Sequence, residues 1–79
     1  MWLKRIASRK LAELYSALRR VAKGTDTKEF YQKMVDYVYE KISADEFIEF
    51  IKTEKKNEEN TYAVGYLDEC ISVVKEESI

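Results

Sequence analysis

The chain has 79 residues, a formal net charge of −1, no proline, no histidine, two glycines and one cysteine. A domain of this size buries only about 60% of the surface its unfolded chain exposes, so its core is thin and a partner subunit would help it. With 46% hydrophobic and 37% charged residues the composition excludes a disordered chain, and no apolar run approaches the roughly 18 residues of a membrane-spanning helix.

Glycine occurs only at Gly24 and Gly65, too few for the repeated turns of an all-β domain. The expected fold is all-α: a compact bundle of four short helices in a single domain over residues 1–79. Lone Cys70 cannot close an internal disulfide, which points to a reducing, cytoplasmic setting.

The first helix is expected from Trp2 to Lys23. At about 100° per residue, Leu3, Ala7, Leu11, Leu14, Leu18, Val21 and Ala22 fall in one arc with Tyr15 at its edge. The N-terminal stretch is Arg-rich and amphipathic like a targeting peptide, but its regular leucine stripe runs straight into the next helix, so it is read as part of the fold. Gly24 is the expected C′ residue, in the left-handed conformation that glycine adopts without a Cβ penalty.

Asp26-Thr27-Lys28-Glu29 has the spacing of a capping box, with Asp26 accepting from first-turn amides and Glu29 reaching back. Phe30, Tyr31, Met34, Val35, Tyr37, Val38 and Ile42 share the apolar face of the second helix. A second box, Ser43 to Glu46, starts the third helix after a tight corner, with Ala44, Phe47, Ile48, Phe50 and Ile51 as its stripe. Thr53 to Asn60 carries no apolar residue and is expected as a frayed helix end plus loop. Asn60 is the expected N-cap of the last helix, on which Ala63, Val64, Tyr66, Leu67, Cys70, Ile71, Val73 and Val74 cover about half the circumference.

Charge is segregated. Residues 1–23 hold seven bases and the single acid Glu13, a balance of +6, whereas residues 24–79 hold seven bases and fourteen acids, a balance of −7. Arg5, Arg9, Arg19, Arg20 and Lys23 cluster opposite the leucines. Such a stripe is suited to an acidic protein, to phosphates or to an anionic membrane surface, or is the solvated face of a bundle helix. A sequence pI near 5.5 and the lack of aromatics other than Trp2 on the basic face speak against nucleic acid. So does the acidity of the third helix, with Asp45, Glu46, Glu49 and Glu54 where a recognition helix would need bases.

Catalytic chemistry finds little to use. Histidine, the usual acid and base at neutral pH, is absent, and one cysteine cannot build a structural zinc site. The adjacent carboxylate pairs diverge by about 100° on a helix, and neither a calcium loop nor a phosphate-cradling glycine loop is present. Cys70 reads as a small buried hydrophobe. The expectation is a protein that is not an enzyme, with no cofactor and no metal.

Six tyrosines suit half-buried rims or an interface. Tyr39, beside Asp36 and Glu40, is expected to be exposed. Gly65 and Ser72 lie seven residues apart on one side of the last helix, where close approach of another helix would offset the cost of the glycine.

The stretch from Asn60 to Val74, with Tyr-Ala-Val-Gly-Tyr-Leu-Asp near its start, resembles the closing helix of short uncharacterised helical proteins of Gram-positive bacteria and their phages. The resemblance covers about a fifth of the chain and implies a mobile-element accessory protein that binds a host factor or a defence complex. It transfers no catalytic residue.

The expected function is therefore a protein-interaction or regulatory module, in dimeric form. Its partner docks on Arg5, Arg9, Arg19, Arg20 and Lys23, or on the face around Asp36, Tyr39 and Glu40. The alternative is a nucleic-acid binder using the basic face of the first helix. Membrane association is not expected.

Overall fold

Three helix starts are prepared by the sequence as side-chain caps, and all three form. The Asp26 carboxylate accepts from the Glu29 amide at 3.0 Å, the Ser43 hydroxyl from the Glu46 amide at 3.1 Å, and the Asn60 side-chain oxygen from the Ala63 amide at 3.0 Å. Each satisfies a first-turn donor that the helix itself cannot pair. The computed structural model describes residues 5–78, with the side chains of residues 8–77. The sequence assignments of Trp2, Leu3 and Ala7 to the first helix, and the side chain of Arg5, lie outside the described residues.

The elements are α1 (Arg5–Val21), α2 (Thr27–Val38), α3 (Ala44–Asn57) and α4 (Thr61–Ser78), an all-α four-helix bundle. The helices close a ring, with α1 packed on α2 and α4, and α3 on the same two neighbours. Leu11, Leu18, Phe30, Phe47, Ile51, Ala63, Leu67, Cys70 and Val74 are fully buried at its centre, together with Tyr37. Phe30 is the hub of the aromatic packing, 6.1 Å from Tyr15, 5.8 Å from Phe47 and 6.1 Å from Phe50, while Phe47 in turn stacks on Tyr37 at 5.2 Å. No helix among the described residues is long and apolar enough to cross a membrane.

Gly24 is not the left-handed residue. α1 ends at Val21 instead of Lys23, and neither glycine has a positive φ. Gly24 is needed for space: a Cβ there would stand 1.9 Å from the Asn57 carbonyl oxygen. The left-handed residue is Glu40, at φ 63°. It occupies the C′ position of a Schellman motif that ends α2, with the Glu40 amide on the Tyr37 carbonyl at 3.0 Å and the Lys41 amide on the Asp36 carbonyl at 2.7 Å.

The stretch 53–60 is also corrected. α3 runs unbroken to Asn57 and only 58–60 form the connection. Absence of apolar residues does not free this segment, because polar tertiary contacts hold it. Lys55 pairs with Asp68 of α4 at 2.6 Å, and Glu54 accepts from the Asp26 amide at 2.8 Å, taking the place expected for Glu29 in the first capping box.

Glu58 completes the attachment. Only 8% exposed, its carboxylate accepts from the amides of Lys23 at 2.8 Å, Gly24 at 3.1 Å, Thr25 at 2.9 Å and Asn60 at 3.0 Å, and from the Thr25 hydroxyl at 2.5 Å. Burial by itself raises the pKa of this group. The Thr25 hydroxyl and the Lys23, Asn60 and Gly24 amides outweigh that effect and hold it at about 2. The carboxylate thus neutralises a row of inward-turned amides that follows α1 and fixes where α1 stops.

Candidate functional site

The leucine arc of α1 faces inward. Leu11 and Leu18 are fully buried, and Leu14, Tyr15, Val21 and Ala22 pack against the same core. That orientation leaves Arg9, Arg19 and Arg20 on the outside, followed by the exposed Lys23. Among the described residues none of these four side chains forms an ion pair. The two ion pairs among the described residues, Lys52 with Glu49 and Lys55 with Asp68, lie on α3 and between α3 and α4. Glu13 is the only acid in the sequence of α1.

Arg19 is set against an aromatic ring. Its guanidinium carbon lies 6.0 Å from the centroid of Tyr15. Tyr15 stacks nearly parallel to Phe30, at an interplanar angle of 10°, and meets Tyr31 at 5.4 Å and 47°. Tyr31 does not belong to the buried face of α2: it is 51% exposed. It follows Phe30, so when Phe30 points into the core Tyr31 is turned about 100° toward α1 and solvent. A shallow open recess of about 250 Å³ lined by Ser16, Arg19 and Arg20 lies on the same helix.

The basic face is therefore bordered by aromatic rings, contrary to the expectation that only Trp2 supplies one. Tyr15 and Tyr31 were hidden in the sequence because each sits at the edge of an apolar arc. The usable signal was their angular position, one residue and about 100° on from Leu14 and Phe30.

The residues of the second expected face lie apart from the first. Tyr39 is 70% exposed, and Glu40 is exposed beside it. Asp36 is half-buried and accepts from the Gln32 side chain at 3.1 Å. These three residues lie at the end of α2 remote from the 22–26 connection, so they do not join Arg19, Arg20 and Lys23 in one site.

Cys70 is fully buried. Loss of solvation, with the nearby Glu69 charge adding to it, pushes its thiol up to about 12, so almost no thiolate exists at neutral pH. No group of three or more metal-ligating side chains comes together among the described residues. Comparison with protein-family models, with curated proteins and with solved structures found no match.

Proposed function

We propose that this protein is a non-enzymatic interaction module whose cationic α1 face binds an acidic segment of another protein. The observation that carries the reading is the set of exposed Arg9, Arg19, Arg20 and Lys23 side chains, none of them ion-paired among the described residues. Single exposed pairs contribute little, roughly 0.2–1 kcal/mol each. Several cations along one helix face act together, and they steer an anionic partner to the surface. The accompanying proposals are a regulatory role in the cytoplasm, the mobile-element setting that the α4 resemblance implies, and a homodimeric state.

The test is fluorescence anisotropy with a labelled acidic peptide at low and moderate salt. Saturable binding that weakens with salt and disappears in the double variant Arg9→Glu, Arg20→Glu supports the reading. A peptide that does not bind even at low salt removes it.

One observation favours a second reading, single-stranded nucleic acid: an arginine lies on an aromatic ring next to an exposed tyrosine, the elements of a base-stacking platform. Against it stands the balance of −7 over residues 24–79, which repels a long polyanion beyond the α1 ridge.

A further inference from the structure

We infer that the recess lined by Ser16, Arg19 and Arg20 is an oxyanion site that takes a phosphorylated side chain of the acidic segment bound by the α1 face. The inference rests on the reading above and adds the chemistry of the group recognised.

The recess exists because its floor is made of short side chains. At 3.6 residues per turn Ser16 shares a face of α1 with Arg19 and Arg20, three and four positions on, and with Arg9, seven positions before. Ala12, exposed one turn before Ser16, is shorter still. The middle of the basic face is therefore low, and long cationic side chains stand around it. The depression measures about 250 Å³ and is lined by a serine and two arginines. It is smaller than the roughly 300–1,000 Å³ of small-molecule pockets. Its lining residues are all polar, which suits one charged headgroup.

The donors select phosphate over carboxylate. Each guanidinium carries five N–H donors in a planar fork, and the serine adds a hydroxyl. A carboxylate offers two oxygens and a single charge. A phosphate monoester brings three terminal oxygens and a charge of about −1.5 to −2 at pH 7, enough to engage both arginines at once. Neither arginine is ion-paired to a described residue, so no such pair has to break on binding. Arg19 is held 6.0 Å from the Tyr15 ring, which stacks on the fully buried Phe30. That restraint reduces the rotamer freedom Arg19 loses when it grips an oxyanion. A nucleic-acid backbone carries only one charge per phosphate and needs a cationic track beyond α1, where residues 24–79 balance to −7.

The experiment compares four labelled probes by anisotropy at moderate salt: an acidic peptide with a central phosphoserine, the same peptide with Glu or with Ser in its place, and an oligothymidylate. The phosphopeptide is expected to bind about tenfold more tightly than the Ser peptide and about threefold more tightly than the Glu peptide. Arg19→Lys and Arg20→Lys keep the charge and remove the fork, so each should erase most of the preference over Glu. Lys23→Gln should weaken all three peptides alike and leave that preference intact. Circular dichroism controls for folding. If the phosphoserine and Glu peptides bind equally and the lysine variants change nothing, the oxyanion site is wrong while the acidic-partner reading stands. If no peptide binds, both fall. If inorganic phosphate displaces the phosphopeptide at concentrations near the phosphopeptide's own Kd, the recess takes free phosphate and the proposal is overturned. It is overturned as well if the oligothymidylate binds more tightly than the phosphopeptide and the lysine variants weaken it.

Discussion

The Gly24 amide lies 3.1 Å from a carboxylate oxygen of Glu58, and the missing side chain of Gly24 is what lets α3 come that close. The two residues are 34 positions apart. One supplies space and a donor, the other the charge that three consecutive amides share. The contact sets the exit of α1 and with it the position of Lys23 at the end of the cationic ridge.

Gly24→Ala should destabilise the fold by about 1–3 kcal/mol, because the backbone of Asn57 must move to admit the methyl group. A denaturant titration measures it. A loss below about 0.5 kcal/mol would show that the contact is not tight.

The Glu58 carboxyl sits at about 2 in the folded chain, below its ordinary 4.5. A depressed carboxyl pKa stabilises the fold above the unfolded value, and that contribution is lost as pH falls toward the folded one. The difference in melting temperature between the natural chain and Glu58→Gln should therefore be constant from about pH 7 to 5 and shrink between about pH 4.5 and 2. Glu58→Ala, which leaves the amides unpaired, should cost about 2–3 kcal/mol at neutral pH. A pH-independent difference would contradict the assignment.

Glu40 holds a left-handed backbone at φ 63° that glycine adopts without strain. Glu40→Gly should stabilise the protein by about 1 kcal/mol, read as a higher denaturation midpoint with an unchanged slope. Destabilisation would mean that the Glu40 side chain contributes more than its strain costs.

Among the described residues nothing outside the immediate backbone of α4 lies within 4 Å of a Cβ placed on Gly65, so no other described helix approaches there. In a monomer Gly65→Ala should stabilise α4 by about 1 kcal/mol. In a dimer packed through this face the same change should weaken association. Sedimentation of both proteins over a range of concentrations separates the two, and a dimer unaffected by the change would place its interface elsewhere.

Cys70, fully buried with its thiol at about 12, should react with a thiol reagent at mildly alkaline pH only at the rate of unfolding. Immediate labelling of the folded protein would show that α4 opens readily.

The architecture was largely legible. Asp26, Ser43 and Asn60 mark three helix starts through short-range hydrogen bonds, and caps of this kind depend on neighbours three residues away. The apolar stripes of α1, α3 and α4 were legible for the same reason, since the helical repeat fixes which side chains share a face. Tyr31 was not, because an arc boundary does not say whether a ring at its edge turns toward a neighbouring helix or away from it. Nor was the stretch 53–60, whose order comes from Glu54 and Glu58 binding a loop about thirty residues away.

By itself the sequence determined the all-α class, the starts of α2, α3 and α4, the inward leucines of α1 and the uneven distribution of charge. These follow from periodicity and local hydrogen bonding. Only the tertiary structure decided that Gly24 makes room for α3 while Glu40 takes the left-handed turn, that a buried carboxylate closes the end of α1, and that Tyr15, with Tyr31 against it, stands beside the exposed Arg19. Those facts depend on which helices become neighbours, and that is settled by packing of the whole chain.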